Sequence, residues 1–421
     1  MLDISTLGLP TAPKAGGPSP KGQEPVRKLV PGSTTAKVLN SVWSGDRLTI
    51  VDSPPGAGKT ALVVEVIGHL IQGTDIAPVI ATPTKAQALS MAYRLAAEVN
   101  PKLINFAVPS IPSADLPPGV GRGGSARVTI RTLASCAMQP PSGQTDLLVV
   151  DEAYQATTSD VLSAVQNIDQ LLLVGDPGQI GPVVSVDTTL WSRERLAPHS
   201  RSPEGMRNIV DSVEFTIGQS WRLGRRTVDV IAPLYEFPFI SARPPRSLID
   251  ADGRELPEME ALLVDETSAP DGLDAMTAVV DRVERLCGLT LTGPATDESG
   301  AVIEVAWDVE PKDIAVVVAR NAQASVLAPM LSSRSLGGVV VGTADRLQGG
   351  QWPVVVAVDP LLGGSSASPH ALALGRLTVM LSRHTTHLDW FSEKRWPEQC
   401  AQIGDDEGET HVEVRRRIGM E

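Results

Sequence analysis

From Leu48 onward, short apolar runs alternate with stretches of helical character. The first set is Leu48–Val51, Pro78–Ala81, Val128–Ile130, Leu147–Val150 and Leu171–Val174, each read as a continuous apolar strand and not a half-polar one. A strand that is apolar on both faces must be covered on both faces, as in a parallel sheet between helix layers. The segment from Thr60 to Gln72 is apolar nearly all round and stops at Gly73, which predicts a buried helix after the first strand. A second set begins after about residue 215: Ala261–Val264, Ile314–Val318, Val339–Val341, Val354–Val358 and Leu377–Leu381, all read as strands. The pattern predicts an α/β protein of two tandem domains with parallel sheets, at residues 36–215 and 216–400. Residues 1–35, rich in Pro, Gly, Lys and Ser, predict a disordered arm. The acidic, turn-rich region from Gly293 to Pro311 predicts an exposed loop, and 401–421 a charged, loosely held tail.

Composition adds limits. A chain of 421 residues exceeds what one hydrophobic core usually supports. Charges interrupt every long apolar stretch, so no membrane span is expected. The start Met1-Leu2-Asp3 lacks a basic-then-apolar leader, and a cytoplasmic location is expected. Cys136, Cys287 and Cys400 are scattered and odd in number, which suits core thiols and neither a disulfide framework nor a metal cluster. The net charge of −13 counts mildly against nucleic acid, but a protein that tracks one strand needs only one basic groove.

The chemistry concentrates in three places. Ser53-Pro54-Pro55-Gly56-Ala57-Gly58-Lys59-Thr60 follows an apolar strand and opens a helix, the context of a phosphate-binding loop; Ser53 replaces the usual first glycine. Pro55, Gly56, Ala57 and Gly58 would wrap the phosphates with backbone N–H groups, Lys59 would neutralise the β- and γ-phosphates, and Thr60 would ligate Mg2+. Leu147–Val150 ends in Asp151-Glu152, carboxylates delivered to the edge of a sheet where ligands bind. Asp151 would hold Mg2+ through water and Glu152 would polarise the attacking water. Alone, such a pair reads equally well as a solvated turn; its partnership with the loop makes it a hydrolysis site. Gln179, in Gly175-Asp176-Pro177-Gly178-Gln179, would sense the γ-phosphate, or belongs to an ordinary Asp-Pro-Gly turn.

These blocks, in this order, resemble a known family. Gly175–Gln179 resembles motif III of superfamily 1 helicases, and Asp151-Glu152-Ala153-Tyr154-Gln155-Ala156-Thr157 their motif II. Ala81-Thr82-Pro83-Thr84 is similar to motif Ia and Arg131–Ser135 to motif Ic. Gln219-Ser220-Trp221-Arg222-Leu223 resembles motif IV, Gly342–Gly349 motif V and Arg376–Arg383 motif VI. Leu234–Phe237 is similar to a continuation in the Upf-like branch. The resemblance runs from about residue 36 to 392 and implies two RecA-like P-loop NTPase domains hydrolysing ATP with Mg2+. It implies that Arg222 and Arg383 reach the γ-phosphate from the second domain, where an arginine can accelerate transfer by about 10³–10⁵. Each arginine by itself also reads as a surface ion-pair partner. The resemblance further implies that Thr82, Pro83, Thr84, Thr132, Thr343 and Gln348 contact a single strand of DNA or RNA without reading bases. Trp191, Trp221 and Trp352 could stack bases or pack in the core.

Departures from the family pattern are also expectations. No clear counterpart of its adenine-reading glutamine precedes Leu48, so NTPs besides ATP are expected to serve. Gln351 stands where the branch has a ribose-contacting glutamate, and Thr378 and His384 where asparagine and alanine are usual. The gaps between motifs leave no space for large accessory domains, so strand separation is expected to need a protein partner or a small pin. The expected activity is ATP-driven movement on single strands, 5′-to-3′ by resemblance, with duplex unwinding. The alternative is an ATP-gated clamp that grips nucleic acid without net movement.

Overall fold

The protein is described by a computed structural model covering residues 28–420, except 124–125, 140–144, 192–196, 210, 266, 268, 297–301, 364–371, 402 and 404. The chain divides into two compact units. One runs to Pro177 and resumes over Gly181–Gly218; the other takes Gly178–Ile180 and Gln219–Glu421.

The first unit contains, in order, α1 (Thr34–Ser44), β1 (Leu48–Asp52), α2 (Lys59–Gly73), β2 (Val79–Thr82), α3 (Lys85–Glu98), β3 (Ile104–Phe106), β4 (Val128–Thr132), α4 (Leu133–Met138), β5 (Thr145–Asp151), α5 (Thr158–Ala164), β6 (Ile168–Gly175), α6 (Ser202–Arg207) and β7 (Val213–Thr216). The strands form one sheet in the order β3-β4-β2-β5-β6-β1-β7, with every neighbouring pair parallel. Successive residues of a strand enter opposite cores. Val149, Leu172 and Val174 pack toward α1, α2 and α3; Leu148, Val150 and Leu173 pack toward α4, α5 and α6. Burying one such side chain contributes about 1.5–3 kcal/mol, against about 1–2 kcal/mol to fix its backbone. A strand apolar on both faces is therefore the stable solution.

The second unit contains β8 (Gln219–Ser220), α7 (Arg225–Ile231), β9 (Ile240–Ser241), β10 (Ser247–Ile249), β11 (Met259–Val264), α8 (Leu273–Leu286), β12 (Thr290–Thr296), β13 (Val302–Asp308), β14 (Ile314–Val318), α9 (Asn321–Ser333), β15 (Val340–Thr343), α10 (Ala344–Leu347), β16 (Trp352–Val358), α11 (Leu374–Leu381), β17 (His384–Glu393), α12 (Trp396–Ala401) and α13 (Asp405–Ile418). Its main sheet, β11-β17-β16-β14-β15, is also parallel throughout. β10, β12 and β13 make a separate antiparallel sheet, and β8 pairs with β9. The architecture is two tandem RecA-like α/β units. In the first, β6 separates the strand before the phosphate loop from the strand ending in Asp151.

Several expectations change. Leu377–Leu381 is helical, within α11, and the strand is the segment after it. Parallel neighbours β16 and β17 need a crossover between them, and α11 is the helix that the connection carries. Much of Gly293–Pro311 forms the hairpin β12–β13. Pro294 is accommodated because β10 pairs only as far as Thr292, leaving that strand one-sided beyond it. The expected loose tail contains α13, held by the fully buried Arg415, whose Nε lies 2.9 Å from Asp359 Oδ2. At the other end, α1 starts inside the expected arm, capped by Ser33; residues 1–27 of that arm lie outside the described residues. Among the described residues, no helix is long and apolar enough to cross a membrane.

Candidate functional site

The first constellation forms at the carboxyl edge of the first sheet. β1 delivers the chain into the loop Ser53–Gly58, and α2 starts at Lys59. Gly58 sits at φ +85° at the start of α2, a left-handed conformation that a side chain strains to adopt. Ser53 is fully buried and stitches the loop to β6, its N–H and Oγ both donating to Gly175 O at 3.0 Å. Its hydroxyl supplies a tie that the usual glycine lacks.

β5 brings two carboxylates to the loop. Thr60 Oγ1 donates to Asp151 Oδ2 at 3.3 Å, and Lys59 Nζ lies 3.4 Å from Glu152 Oε1. Asp151 is buried, and burial, with the neighbouring Glu152 carboxylate next, pushes its pKa well above the usual range, against Lys59. A buried carboxylate in this electrostatic state, with a hydroxyl on it, fits a divalent cation: Thr60 and Asp151 would hold Mg2+ there. Glu152 adopts φ 58°, a left-handed conformation costing a non-glycine residue about 1–3 kcal/mol and typical of positions fixed for function.

The second constellation lies wholly in the second unit. Arg222 Nε donates to Gln351 Oε1 at 3.0 Å and Nη1 to Ser382 O at 3.4 Å. Arg383, 1% exposed, donates from Nη1 to Gly350 O at 3.3 Å and from Nη2 to Ser382 Oγ at 3.0 Å. Arg222, of the block resembling motif IV, and Ser382–Arg383, of the block resembling motif VI, thus meet at Gly350–Gln351, directly after the block resembling motif V. Arg376, by contrast, is committed to a bidentate pair with Asp345 at 2.8 and 2.9 Å. Gln179 groups with this unit, where its Oε1 accepts from Gln348 Nε2 at 3.2 Å.

The threonines divide by the fate of their protons. Thr132 and Thr343 cap α4 and α10, each Oγ1 accepting a backbone N–H; neither hydroxyl proton has an acceptor among the described residues. Thr84 caps α3 but gives its proton to Gln87, and the buried Thr82 gives its proton to Thr84 O. Pro83, between them, is half-buried. Trp352 is buried, whereas Trp221 and Trp191 are 59% and 44% exposed.

Sequence reading missed Asp52, Arg201 and Arg207, which surround Tyr154 beside this site. Their partners are far apart in the chain, and no spacing rule connects them.

Residues 34–187 match the AAA domain family. Among solved structures, the chain is similar to the arterivirus nonstructural protein 10, a helicase in complex with DNA, at 19% identity over 85% of this chain and 63% of that one, with a TM-score of 0.46. It is also similar to the PRRSV helicase, at 19% identity over 84% of this chain and 54% of that one, with a TM-score of 0.45. The chain therefore spans 63% and 54% of the length of those two proteins. No curated protein matches it in sequence. The AAA match, the parallel strand order and the loop before α2 make the first unit a P-loop nucleotide-binding domain.

Proposed function

We propose that this protein is an ATP-hydrolysing motor of the superfamily 1 helicase type that moves on single-stranded DNA or RNA. The observation that carries the proposal is the meeting of Lys59 with Glu152 and of Thr60 with Asp151 on one sheet edge. Lys59 and Glu152 neutralise each other in this structure. A triphosphate in the loop competes for Lys59, and the carboxylate so released is free to take a proton from water. Water oxygen then attacks the γ-phosphorus, the bond to the β–γ bridging oxygen breaks, and Glu152 holds the proton. Bound Mg2+ would supply charge neutralisation at the phosphate oxygens. Arg222 and Arg383 would stabilise the transferring phosphoryl group, with Gln351 beside Arg222 reaching the ribose.

Strand contact in this proposal falls to backbone amides at the starts of α3, α4 and α10, to Pro83 and Gln348, and to the hydroxyls of Thr132 and Thr343. Such contacts ignore base identity, as a translocating enzyme requires. ATP hydrolysis measured with and without single strands tests the core of the proposal. Stimulation supports it, and indifference to every strand offered sinks it. Duplexes tailed at the 5′ or 3′ end, in DNA and RNA, then assign substrate and polarity.

The clamp reading draws support from the modest accessory structure. Among the described residues, sheet structure outside the two parallel sheets amounts to β10-β12-β13 and the β8–β9 pair. Displacement of streptavidin from an end-labelled strand separates the two readings, since a static clamp displaces none.

A further inference from the structure

Tyr154 lies two residues after Glu152 and is 2% exposed. Its hydroxyl donates to Asp52 Oδ1 at 2.7 Å, and Asp52 immediately precedes the phosphate loop. Arg207, the last residue of α6, closes a triangle with Nη2 2.6 Å from Asp52 Oδ2 and Nη1 3.2 Å from the Tyr154 oxygen. Its Nε is tied in turn to Glu214 of β7 at 3.1 Å. The Tyr154 ring is confined as well. A Cβ on Gly175 would come within 2.7 Å of its Cδ2, and the Arg201 guanidinium lies 5.1 Å from the ring centre. Arg201 also donates to Pro177 O, in the turn after β6. One side chain therefore meets the entry to the phosphate loop, the carboxylate turn and the end of β6.

This packing is more than an isolated buried group requires. A half-buried Asp52 needs a charged partner, which Arg207 alone supplies. The tyrosine hydroxyl adds a rigid spacer between Asp52 and the turn carrying Glu152, whose backbone is strained. We propose that Asp52, Tyr154 and Arg207 form a positioning lock that holds the Glu152 carboxylate in register with the phosphate loop. α6, which lies outside every motif, thereby becomes part of the hydrolytic apparatus. The three are positioning residues: none reaches a phosphate, and each acts through Glu152. The proposal rests on the reading of Glu152 as the group that takes the proton from water.

Tyr154→Phe deletes one hydroxyl and leaves the ring against Gly175 and Arg201. Strand-stimulated ATP turnover should fall by about tenfold with KM within about twofold, because the loop still grips nucleotide while the base is misplaced. The melting curve should be nearly unchanged. Arg207→Gln gives a second approach, with the same loss in kcat at constant KM expected. The decisive comparison uses Glu152→Gln. In single-turnover assays the double variant Glu152→Gln/Tyr154→Phe should be no slower than Glu152→Gln alone, since the lock then has nothing to position. A further tenfold loss in the double variant overturns the lock. So does a normal kcat in Tyr154→Phe and Arg207→Gln beside an inactive Glu152→Gln, which leaves the reading of Glu152 standing. Normal turnover by Glu152→Gln sinks that reading and the lock together.

Discussion

Strands β5 and β17 both run through the interior of a parallel sheet, each flanked by a strand on either side, and both are buried over almost their whole length. They are made of opposite materials. β5 is apolar from Leu147 to Val150, with its charges toward its two ends, at Asp146 and Asp151. β17 reads His-Thr-Thr-His-Leu-Asp-Trp-Phe-Ser-Glu, and most of its polar groups find partners within the fold, His384 Nδ1 being an exception. His384 Nε2 meets Thr227 Oγ1 at 2.8 Å, and Asp389 is bonded by His387 and Arg282. Ser392 donates to Asp359 at 2.7 Å, and Glu393 faces Arg395 and Gln399. The difference is where the polar partners are. In β17 they are inside the protein, so polarity there is structural. At the end of β5 a buried carboxylate is left with its pKa pushed up by burial and by Glu152, a strain that a ligand can relieve. The cluster Glu260–His387–Asp389 has the composition of a metal site but belongs to the first kind, because Arg282 already bonds both carboxylates.

The largest expected effect tests the β5 side. Glu152→Gln should lower ATP turnover by about 10²–10⁴-fold, the usual worth of a general base. Folding stability should hold or rise, since the change removes the negative charge crowding Asp151. Single-turnover hydrolysis and urea unfolding read the two quantities. A variant that loses stability but keeps turnover would reverse the distinction between the strands.

The β17 side predicts the opposite outcome. Asp389→Ala strips the buried partner from Arg282 and His387 and should cost about 3–5 kcal/mol, as broken buried pairs do. Urea unfolding checks it, and a cost under about 1 kcal/mol would mean that the polar strand is not held together by its internal pairs.

This contrast also explains what was legible in the residues. β1, β2, β4, β5 and β6 showed as apolar runs because their stability comes from burial, which hydropathy reports directly. The meeting of Lys59, Thr60, Asp151 and Glu152 was equally accessible, since a strand, a glycine turn and a helix start are local features. β17 was not legible: its burial depends on partners such as Thr227 and Arg282, more than a hundred residues away, which turn polar residues into interior ones. The run Leu377–Leu381 reads as a strand because four apolar residues and a threonine carry no period that separates strand from buried helix. The hairpin β12–β13 was hidden by its acidic residues, Glu304 and Asp308, which read as an exposed loop. The lock around Tyr154 joins positions 52, 154 and 207, and α6 has no motif to point to it.

Acidification should separate the two units. His411 is buried, and burial with the Arg415 charge lowers its pKa to about 4; its Nε2 faces Leu372 O and its Nδ1 faces the Arg415 guanidinium. Burial also lowers the pKa of His384. Below pH ~6.5 the unfolded chain gains protons that these folded rings refuse. Their contribution to stability is therefore complete above that pH and lost on acidification, with a limiting slope of about 1.4 kcal/mol per pH unit for each ring. Asp151 has the opposite sign. Its raised pKa lets the folded state take up a proton before the unfolded state does, so lowering the pH relieves its strain. Hydrogen exchange at pH 7 and pH 5 should show lost protection in β16 and β17 without an equal loss in β1 and β5, and His411→Gln should reduce the difference. Equal losses in both sheets would break the comparison.

The smallest effect repeats the comparison at single hydroxyls. Thr82 has spent its proton inside the fold, on Thr84 O, whereas Thr132 accepts a helix N–H and keeps its own proton to donate. Thr132→Ala should cost about 1 kcal/mol of stability through the lost cap, and it should also weaken single-strand binding by about two- to tenfold, the worth of one hydrogen bond. Thr132→Ser should restore both, since serine caps and donates alike. The salt dependence of binding supplies the sharper criterion. Threonine displaces no counterion, so the slope of log affinity against log salt should be the same in Thr132→Ala as in the parent protein. A changed slope would mean that the substitution had moved a basic side chain. Unchanged affinity in Thr132→Ala would mean that this hydroxyl, like those of β17, serves the fold alone.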